Sequence, residues 1–532
     1  MKKVLSILLV LSLLVSLPLL TAVAAEEPIP LFGTGSSPED PLFDPALGLT
    51  LTVYTTNGWG EDSKPDNTLV KEYIEAHTGL TLNFVYTAID NFVEKMNLVF
   101  VSGEAYDVVS DGSGLIVATR PLQSLYDDGL IIDLTPYMDT YGKNVTKYLG
   151  EGYDYTRGTN GELLSIAKRV SNNRGNTPTI RADWVEQAGL SGLPTTIKEL
   201  ETYFEYVKNN DCNGNGDATD EIPYLPSNWL NLGNCMEGIF LGKDGIGKNY
   251  LGEDGNVYRD INHPLYMSFL DTLRSWYEKG YLYPEFFTVT SSQVNDLVSA
   301  DRAGLLNQWY SGQVRPFQAV EEADTTKHYE LLPNIESPNE GVQTTYSEGT
   351  PYQPSVLVST TSEHPEVGIA YFDWMLSDPT INASIWNGIE GLHWEWFDEE
   401  ELTFTTLPGG EERYFKGFQA VCQWDAKDQF IYANPADYIS IKYDHYLNIL
   451  NSGETDYYEA FDLKVPYVKV GTDLEFMSND AETLLEESII SYIIGTIDRD
   501  AMTSAVTEYN AIYGDVYSKV YTEQYNTWLA NR

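Results

Sequence analysis

The stretch from Leu49 to Gly114 constrains this chain most. Leu49–Thr56 (LTLTVYTT) alternates apolar and polar residues as a strand does, and Leu80–Thr87 and Tyr106–Ser110 (YDVVS) read as two more. Between them lie two amphipathic segments, Asn67–His77, stopped by Gly79, and Asn91–Val101. Strand, helix, strand, helix, strand is the rhythm of a mainly parallel sheet, because parallel neighbours need a long crossover and the helices cover the faces. In such sheets ligands bind beyond the carboxyl ends of the strands. The loops Asn57–Gly60, with Trp59, and Asp111–Gly114, with Asp111, are therefore candidate ligand loops. A chain of 532 residues is too long for one core and predicts two lobes or more.

Asp211–Pro223 (DCNGNGDATDEIP) has oxygen-bearing side chains at its positions 1, 3, 5, 7, 9, 10 and 11 and glycines at 4 and 6. A hard cation such as calcium takes six to eight oxygens and needs a loop that curls tightly. Asp211, Asn213, Asn215 and Asp217 alternate along the loop, Gly216 supplies a turn with positive φ, and Asp220 and Glu221 close the cage. The pattern departs from the EF-hand rule, since position 12 is Ile222 rather than Glu. An Asn/Gly-rich surface turn is the competing reading, but a turn alone has no use for the Asp220-Glu221 pair. Calcium here is expected to be structural.

The flanks add a pattern. Ile180-Arg181-Ala182-Asp183-Trp184-Val185 precedes Leu193-Pro194-Thr195-Thr196, and Thr196 with Glu199 forms a capping box opening a helix to about Asn209. The order helix, LPTT turn, capped helix, D-x-N-G-N-G loop, D-E-I-P resembles the family 1 extracellular solute-binding proteins of ABC importers, and within it the alginate- and oligosaccharide-binding branch. The resemblance spans roughly residues 49 to 400 and is most specific through 180–223.

That resemblance implies a two-lobed α/β fold of the periplasmic-binding-protein type II class, each lobe a mainly parallel sheet flanked by helices, with a ligand cleft between lobes. It assigns 49–172 and 350–405 to the first lobe, and 173–349 and 406–532 to the second. Residues 26–48, rich in Pro and Gly without apolar period, read as a linker of low order. The polar stretch Ser171–Thr179, with Asn173 and Arg174, is expected to make the first crossing between lobes, with later crossings near 341–350 and 405. Ala303–Tyr310 (AGLLNQWY) resembles the strand that carries cleft aromatics, here Trp309 and Tyr310. Asn387–Trp394 (NGIEGLHW), just after Trp386, resembles the family's G-x-E-G-x-H-aromatic segment and nominates Glu390, His393 and Trp394. Helices are expected near 480–495 and 500–530.

Lys2 and Lys3, the apolar run Val4–Leu20 and Ala22-Val23-Ala24-Ala25 read as a signal peptide, so the chain is expected to be exported. No Cys precedes Cys212, so a lipid anchor at the mature start is not expected. Removing Lys2 and Lys3 takes the formal charge from −47 to −49. That surface repels phosphate backbones, which argues against nucleic acid, and disfavours acidic polysaccharides unless basic residues gather in the cleft. Cys212, Cys235 and Cys422 leave at least one free thiol; Cys212 and Cys235 could pair or stay reduced.

No G-x-S-x-G, H-E-x-x-H or Walker motif occurs, and the six His are isolated, so no catalytic residue is nominated. Aromatics are the positive signal, with 11 Trp, 38 Tyr and 19 Phe. Sugars offer C–H faces to flat rings and hydroxyls to polar side chains. Trp59, Trp309, Tyr310, Trp386, Trp394 and Trp396 all fall in expected cleft segments, two or three of them expected to face ligand. The function expected is capture of an oligosaccharide by lobe closure and delivery to the permease of an ABC importer, by a monomer. A secreted carbohydrate-active enzyme and a glycan sensor or adhesin are the competing readings.

Overall fold

Strands buried on both faces read as runs of β-branched and aliphatic residues, and each residue's parity decides which face it covers. The computed structural model describes residues 28–530 apart from 57–67, 89–90, 113, 159, 170–177, 227–228, 243–248, 308–309, 349–351, 401, 408–437, 453–456, 460–464, 466–471, 475–476 and 479. Its strands in chain order begin with β1 (Thr50–Thr56), β2 (Thr81–Thr87), β3 (Val108–Ser110), β4 (Ile166–Arg169), β5 (Thr179–Arg181) and β6 (Ile222–Pro226). A hairpin of β7 (Asn249–Leu251) and β8 (Val257–Arg259) follows, then β9 (Ala303–Asn307), β10 (Tyr329–Leu331), β11 (Tyr346–Glu348) and β12 (Tyr352–Val358). The last are β13 (Trp394–Asp398), β14 (Thr403–Thr406) and β15 (Tyr457–Glu459).

The first sheet has the order β2-β1-β3-β12-β4. β1 runs parallel to β2 and β3, whereas β12, returning from the second lobe, lies antiparallel between β3 and β4. Val108, Val356 and Val358 enter one core with Leu51, Val53, Leu82 and Ile166; Val109 and Leu357 enter the core on the opposite face with Tyr54 and Leu164. The second sheet has the order β10-β5-β9-β6, with β6 parallel to β9 and β5 antiparallel to it. The same parity holds there: Tyr224 and Leu305 face one core, Leu225 and Leu306 the other. The C-terminal helices Asp480–Ile493, Arg499–Tyr509 and Asp515–Ala530 pack into the first of these second-lobe cores. The fold is the expected two-lobed α/β one, but the sheets are not mainly parallel: among the described residues, two of the four pairings of the first sheet and two of the three of the second are antiparallel, because β12 and β5 run against their neighbours.

Residues 28–48, expected to be a linker of low order, are instead a strap on the first lobe. Phe43 is fully buried in that lobe's core beside Leu42. Their N–H groups bond the carbonyls of Thr78 and His77, both at 2.9 Å. Ile29 N–H reaches Glu366 (2.8 Å) and the Trp374 indole donates to the Gly35 carbonyl (2.9 Å). Pro and Gly remove helix and strand periodicity without removing such contacts, so the apolar pair Leu42-Phe43 was the signal that mattered. The capping box is also shifted. Thr196 Oγ accepts the Glu199 N–H at 3.1 Å, but the Glu199 carboxylate turns to the N–H and hydroxyl of Thr195. Among the described residues no helix is long and apolar enough to cross a membrane.

Candidate ligand-binding site and metal loop

β1, β2 and β3 end at one edge of the first sheet. β4 ends there too, and β12 starts there, because both β3 and β4 run antiparallel to β12. At this edge Lys168 of β4 holds its ammonium 5.5 Å from the centre of the Trp386 ring and 3.5 Å from the Gly112 carbonyl. Trp386 is half-buried near the end of the helix Pro379–Asn387, whose N-cap Asp378 accepts the N–H groups of Thr380 and Ile381. Beside it Asn387 is buried, and its Nδ2 has no hydrogen-bond partner among the described residues. Arg169 pairs in register with Tyr352, whose ring lies 5.6 Å from that of Tyr155. Gly114, at φ +64°, lets the Gln353 amide lie against its backbone, where a Cβ would collide with it. The edge therefore combines exposed ring surface, two cations and amide groups, a set that suits C–H faces and hydroxyls.

Of the nominated ligand residues, Trp59, Asn173, Arg174 and Trp309 lie outside the described residues, as does the side chain of Tyr310, which opens the helix Tyr310–Glu321. Asp111 lies at this edge but is 1% exposed, and its carboxylate accepts the Ile116 N–H (2.7 Å) at the start of the helix Leu115–Thr119. It shapes the turn instead of presenting a free oxygen to solvent. Glu390 is exposed. His393 Nδ1 accepts the Ile389 N–H at 2.9 Å, which fixes that nitrogen as an acceptor. Trp394 is a correction: it is fully buried against Ala383 and Phe404, with Trp396 edge-on at 4.9 Å. Its indole N–H donates to the Gly388 carbonyl, so it closes the turn after the Trp386 helix and offers no face to a ligand. Lys168, Arg169, Tyr155, Tyr352 and Gln353 were missed. The strand-end rule pointed to the loops after the strands, whereas Lys168 and Arg169 are the last two positions of β4, Tyr352 and Gln353 the first two of β12, and Tyr155 ends a short 3-10 helix.

The second lobe carries the acidic loop. Asp211 Oδ1 accepts the N–H groups of Gly214 (2.8 Å) and Asn215 (3.0 Å), and its Oδ2 that of Gly216 (2.8 Å). Asn213 and Asn215 accept the N–H two residues on, at 2.9 and 2.8 Å. Each carboxamide oxygen keeps a second lone pair. Their Nδ2 groups converge on Asp220 (3.3 and 3.1 Å). Gly214 and Gly216 take φ +77° and +93° without crowding. Glu221 is 8% exposed; one carboxylate oxygen accepts the Asn213 N–H (3.2 Å), and the other is buried with no partner among the described residues. Burial pushes the Glu221 carboxyl above its usual range, with the N–H groups of Asn213 and Glu221 pulling it back. Asp217 turns away to the Thr219 hydroxyl (2.6 Å). Arg302 donates to the Asp220 carbonyl (2.8 Å) and joins the loop to the start of β9. Among the described residues no three His, Cys, Asp or Glu side chains close on a point, so an ion here would need the Asn oxygens as well. A buried, unpartnered carboxylate oxygen beside those acceptors fits a hard cation. Cys212, within the loop, is a free buried thiol, raised to about 12 by burial and the nearby Glu221.

A two-lobed α/β fold whose first-lobe sheet edge gathers rings, cations and amides is the arrangement of a solute-binding protein. The chain belongs to the bacterial extracellular solute-binding protein family, which matches residues 59–380. It is 28% identical over 274 residues to the fructooligosaccharide ABC transporter substrate-binding protein FusA of Streptococcus pneumoniae, covering 48% of this chain and 49% of that protein. It thus spans about half the length of that relative. A carbohydrate ABC transporter substrate-binding protein of the same organism is 20% identical over 396 residues, 69% of this chain and 70% of its own. Among solved structures, an extracellular solute-binding protein from Bifidobacterium longum subsp. infantis superposes with TM-score 0.70 at 16% identity, over 90% of this chain and 98% of that one. The alginate-binding protein AlgQ2, solved without calcium ion, gives 0.68 at 16%, over 93% and 100%.

Proposed function

We propose that this chain is an exported receptor that captures an oligosaccharide between its lobes and hands it to the permease of an ABC importer. The observation that carries this reading is the first-lobe edge, where the Trp386 ring lies under Lys168 beside Gln353 and the Tyr155–Tyr352 pair. Such a surface stacks on pyranose or furanose faces and bonds their hydroxyls. The relatives described as fructooligosaccharide and carbohydrate transporter components favour the same ligand class. The signal-like N-terminus favours export, and the chain is read as a monomer.

Calcium is part of the proposal. Asp211, Asn213, Asn215, Asp220 and Glu221 would hold it, with Asp217 a weaker candidate because its carboxylate serves Thr219. The bound ion would supply positive charge to the buried Glu221 oxygen and pin the start of β6. The proposed role is structural, a reading supported by FusA altered in its EF-hand having been solved in complex with fructo-nystose.

A thermal-shift screen of the mature chain against neutral and acidic oligosaccharides tests the reading, since a ligand that binds only the folded state raises the melting temperature by mass action. Solution scattering with the best ligand should show a smaller radius of gyration as the lobes close. No shift with any glycan, or sugar release from a glycan by the purified protein, would sink it. A chelator should lower the melting temperature while leaving sugar affinity nearly unchanged wherever the fold survives.

A further inference from the structure

A second surface of the same chemical kind lies away from the strand edges. Tyr250 and Tyr258 are cross-strand partners on the β7–β8 hairpin and stack, with centroids 5.8 Å apart and planes at 29°. His263 stands edge-on to Tyr250 at 4.9 Å. The Tyr258 hydroxyl is aimed by a hydrogen bond to Asp254 (2.8 Å), which also accepts the Asn256 N–H. Opposite the hairpin, the C-terminal helix is broken by a π turn, Asn510–Gly514. Gly514 is required there, since a Cβ would collide with the Asn510 side chain folded over it. So placed, Asn510 exchanges two amide hydrogen bonds with Asn262, at 2.7 and 3.2 Å. Single π turns inside α-helices are uncommon and cluster at functional sites.

Hairpin, 262–264 turn and π turn enclose an open hollow of about 590 Å³, within the range of small-ligand sites. No Lys or Arg lines it, whereas Glu253, Asp254 and Asp515 do, so anions are repelled. Tyrosine faces on one side, carboxylates and carboxamides on the rim, match a neutral saccharide, whose C–H face stacks while its hydroxyls donate to the acids. All of these residues belong to the second lobe, and none stands at the carboxyl end of β6 or β9.

We infer that this hollow is a second, weak site for a neutral saccharide unit, independent of the first-lobe edge. Titrating the mature chain with kestose, mannotriose and xylotriose, followed by saturation-transfer NMR, tests it in a Trp386→Ala background. The expected result is a saturable millimolar phase with at least one sugar that survives Trp386→Ala. Adding Tyr250→Ala should weaken that phase about tenfold, the worth of one stacking contact. Asp515→Arg, at an exposed position, should do the same without moving the melting temperature. The inference fails if no phase survives Trp386→Ala. It also fails if the surviving phase ignores both added variants, or if tetramethylammonium occupies the hollow and no sugar displaces it. Loss of all sugar binding in Trp386→Ala would leave the proposed transport function standing. Loss through Tyr250→Ala alone, with Trp386→Ala silent, would overturn the first-lobe site instead.

Discussion

The loop Asp211–Glu221 and the segment Trp386–Trp394 were both conspicuous as sequence motifs, yet they differ in how their geometry is closed. Inside the loop nearly every bond runs between residues two to eight apart, from the Asp211 carboxylate to the Glu221 oxygen on the Asn213 N–H. The segment is closed from outside. Trp386 meets Lys168 of β4, and Trp394 packs on Ala383 and on Phe404 of β14. Side-chain-to-backbone bonds over short spans follow from residue order and φ alone. Which of two tryptophans eight residues apart faces ligand depends on partners that no local pattern names.

The largest test of that contrast is Trp394→Ala. Removing a fully buried Trp should cost roughly 3–5 kcal/mol, and here it also frees the Gly388 carbonyl that the indole bonds. Calorimetry should show a clear fall in melting temperature, with sugar affinity per folded molecule little changed. A variant of native stability that had lost sugar binding would return Trp394 to the ligand surface.

Asp211→Ala should cost less, about 2 kcal/mol, as three N–H groups lose a charged acceptor in a part-exposed loop. Because those bonds need no ion, the loss should persist in chelator, and calcium should no longer raise the melting temperature. An equal melting temperature for variant and wild type in chelator would mean the loop is ordered by the ion alone. Glu221 sharpens the point through pH. Its folded pKa is raised by burial, so in chelator it favours folding below its unfolded value and loses that contribution as pH rises through the folded one. Glu221→Gln should flatten this slope in an acid titration of stability.

Much of the architecture was legible because it rests on period. The alternation in Val108-Val109 and Val356-Leu357-Val358 assigns faces without knowledge of the neighbouring strand. The strap at residues 28–48 was not legible, since its order comes from Leu42 and Phe43 entering a core built by residues far along the chain, and from Gly35 receiving the Trp374 indole. The site divided likewise. Trp386 could be nominated, while nothing in the sequence singled out Lys168, Arg169 and Gln353, whose place at this edge depends on β12 entering between β3 and β4. Trp386→Ala, the next smaller effect, should remove a stacking face worth about 1–2 kcal/mol of sugar affinity at unchanged melting temperature. A fall in stability matching that of Trp394→Ala would erase the distinction between the two rings.

The smallest expected effect bears on which sugar is taken. The chain as a whole is strongly acidic, which disfavours uronates, but Lys168 and Arg169 place positive charge at the first-lobe edge, where field focusing in a cleft outweighs distant surface charge screened over roughly 10 Å. Lys168→Met keeps an unbranched side chain of similar length beside Trp386 and removes the charge. For a neutral oligosaccharide the loss should stay within about 1 kcal/mol, the scale of one hydrogen bond or exposed cation–π contact. For a uronate-containing one it should be larger and fade as salt is raised from low to physiological strength. Titrations of both ligand types at two salt concentrations separate the outcomes: equal, salt-independent losses would make Lys168 a hydroxyl partner, and a salt-sensitive loss confined to the acidic sugar would make it a charge selector.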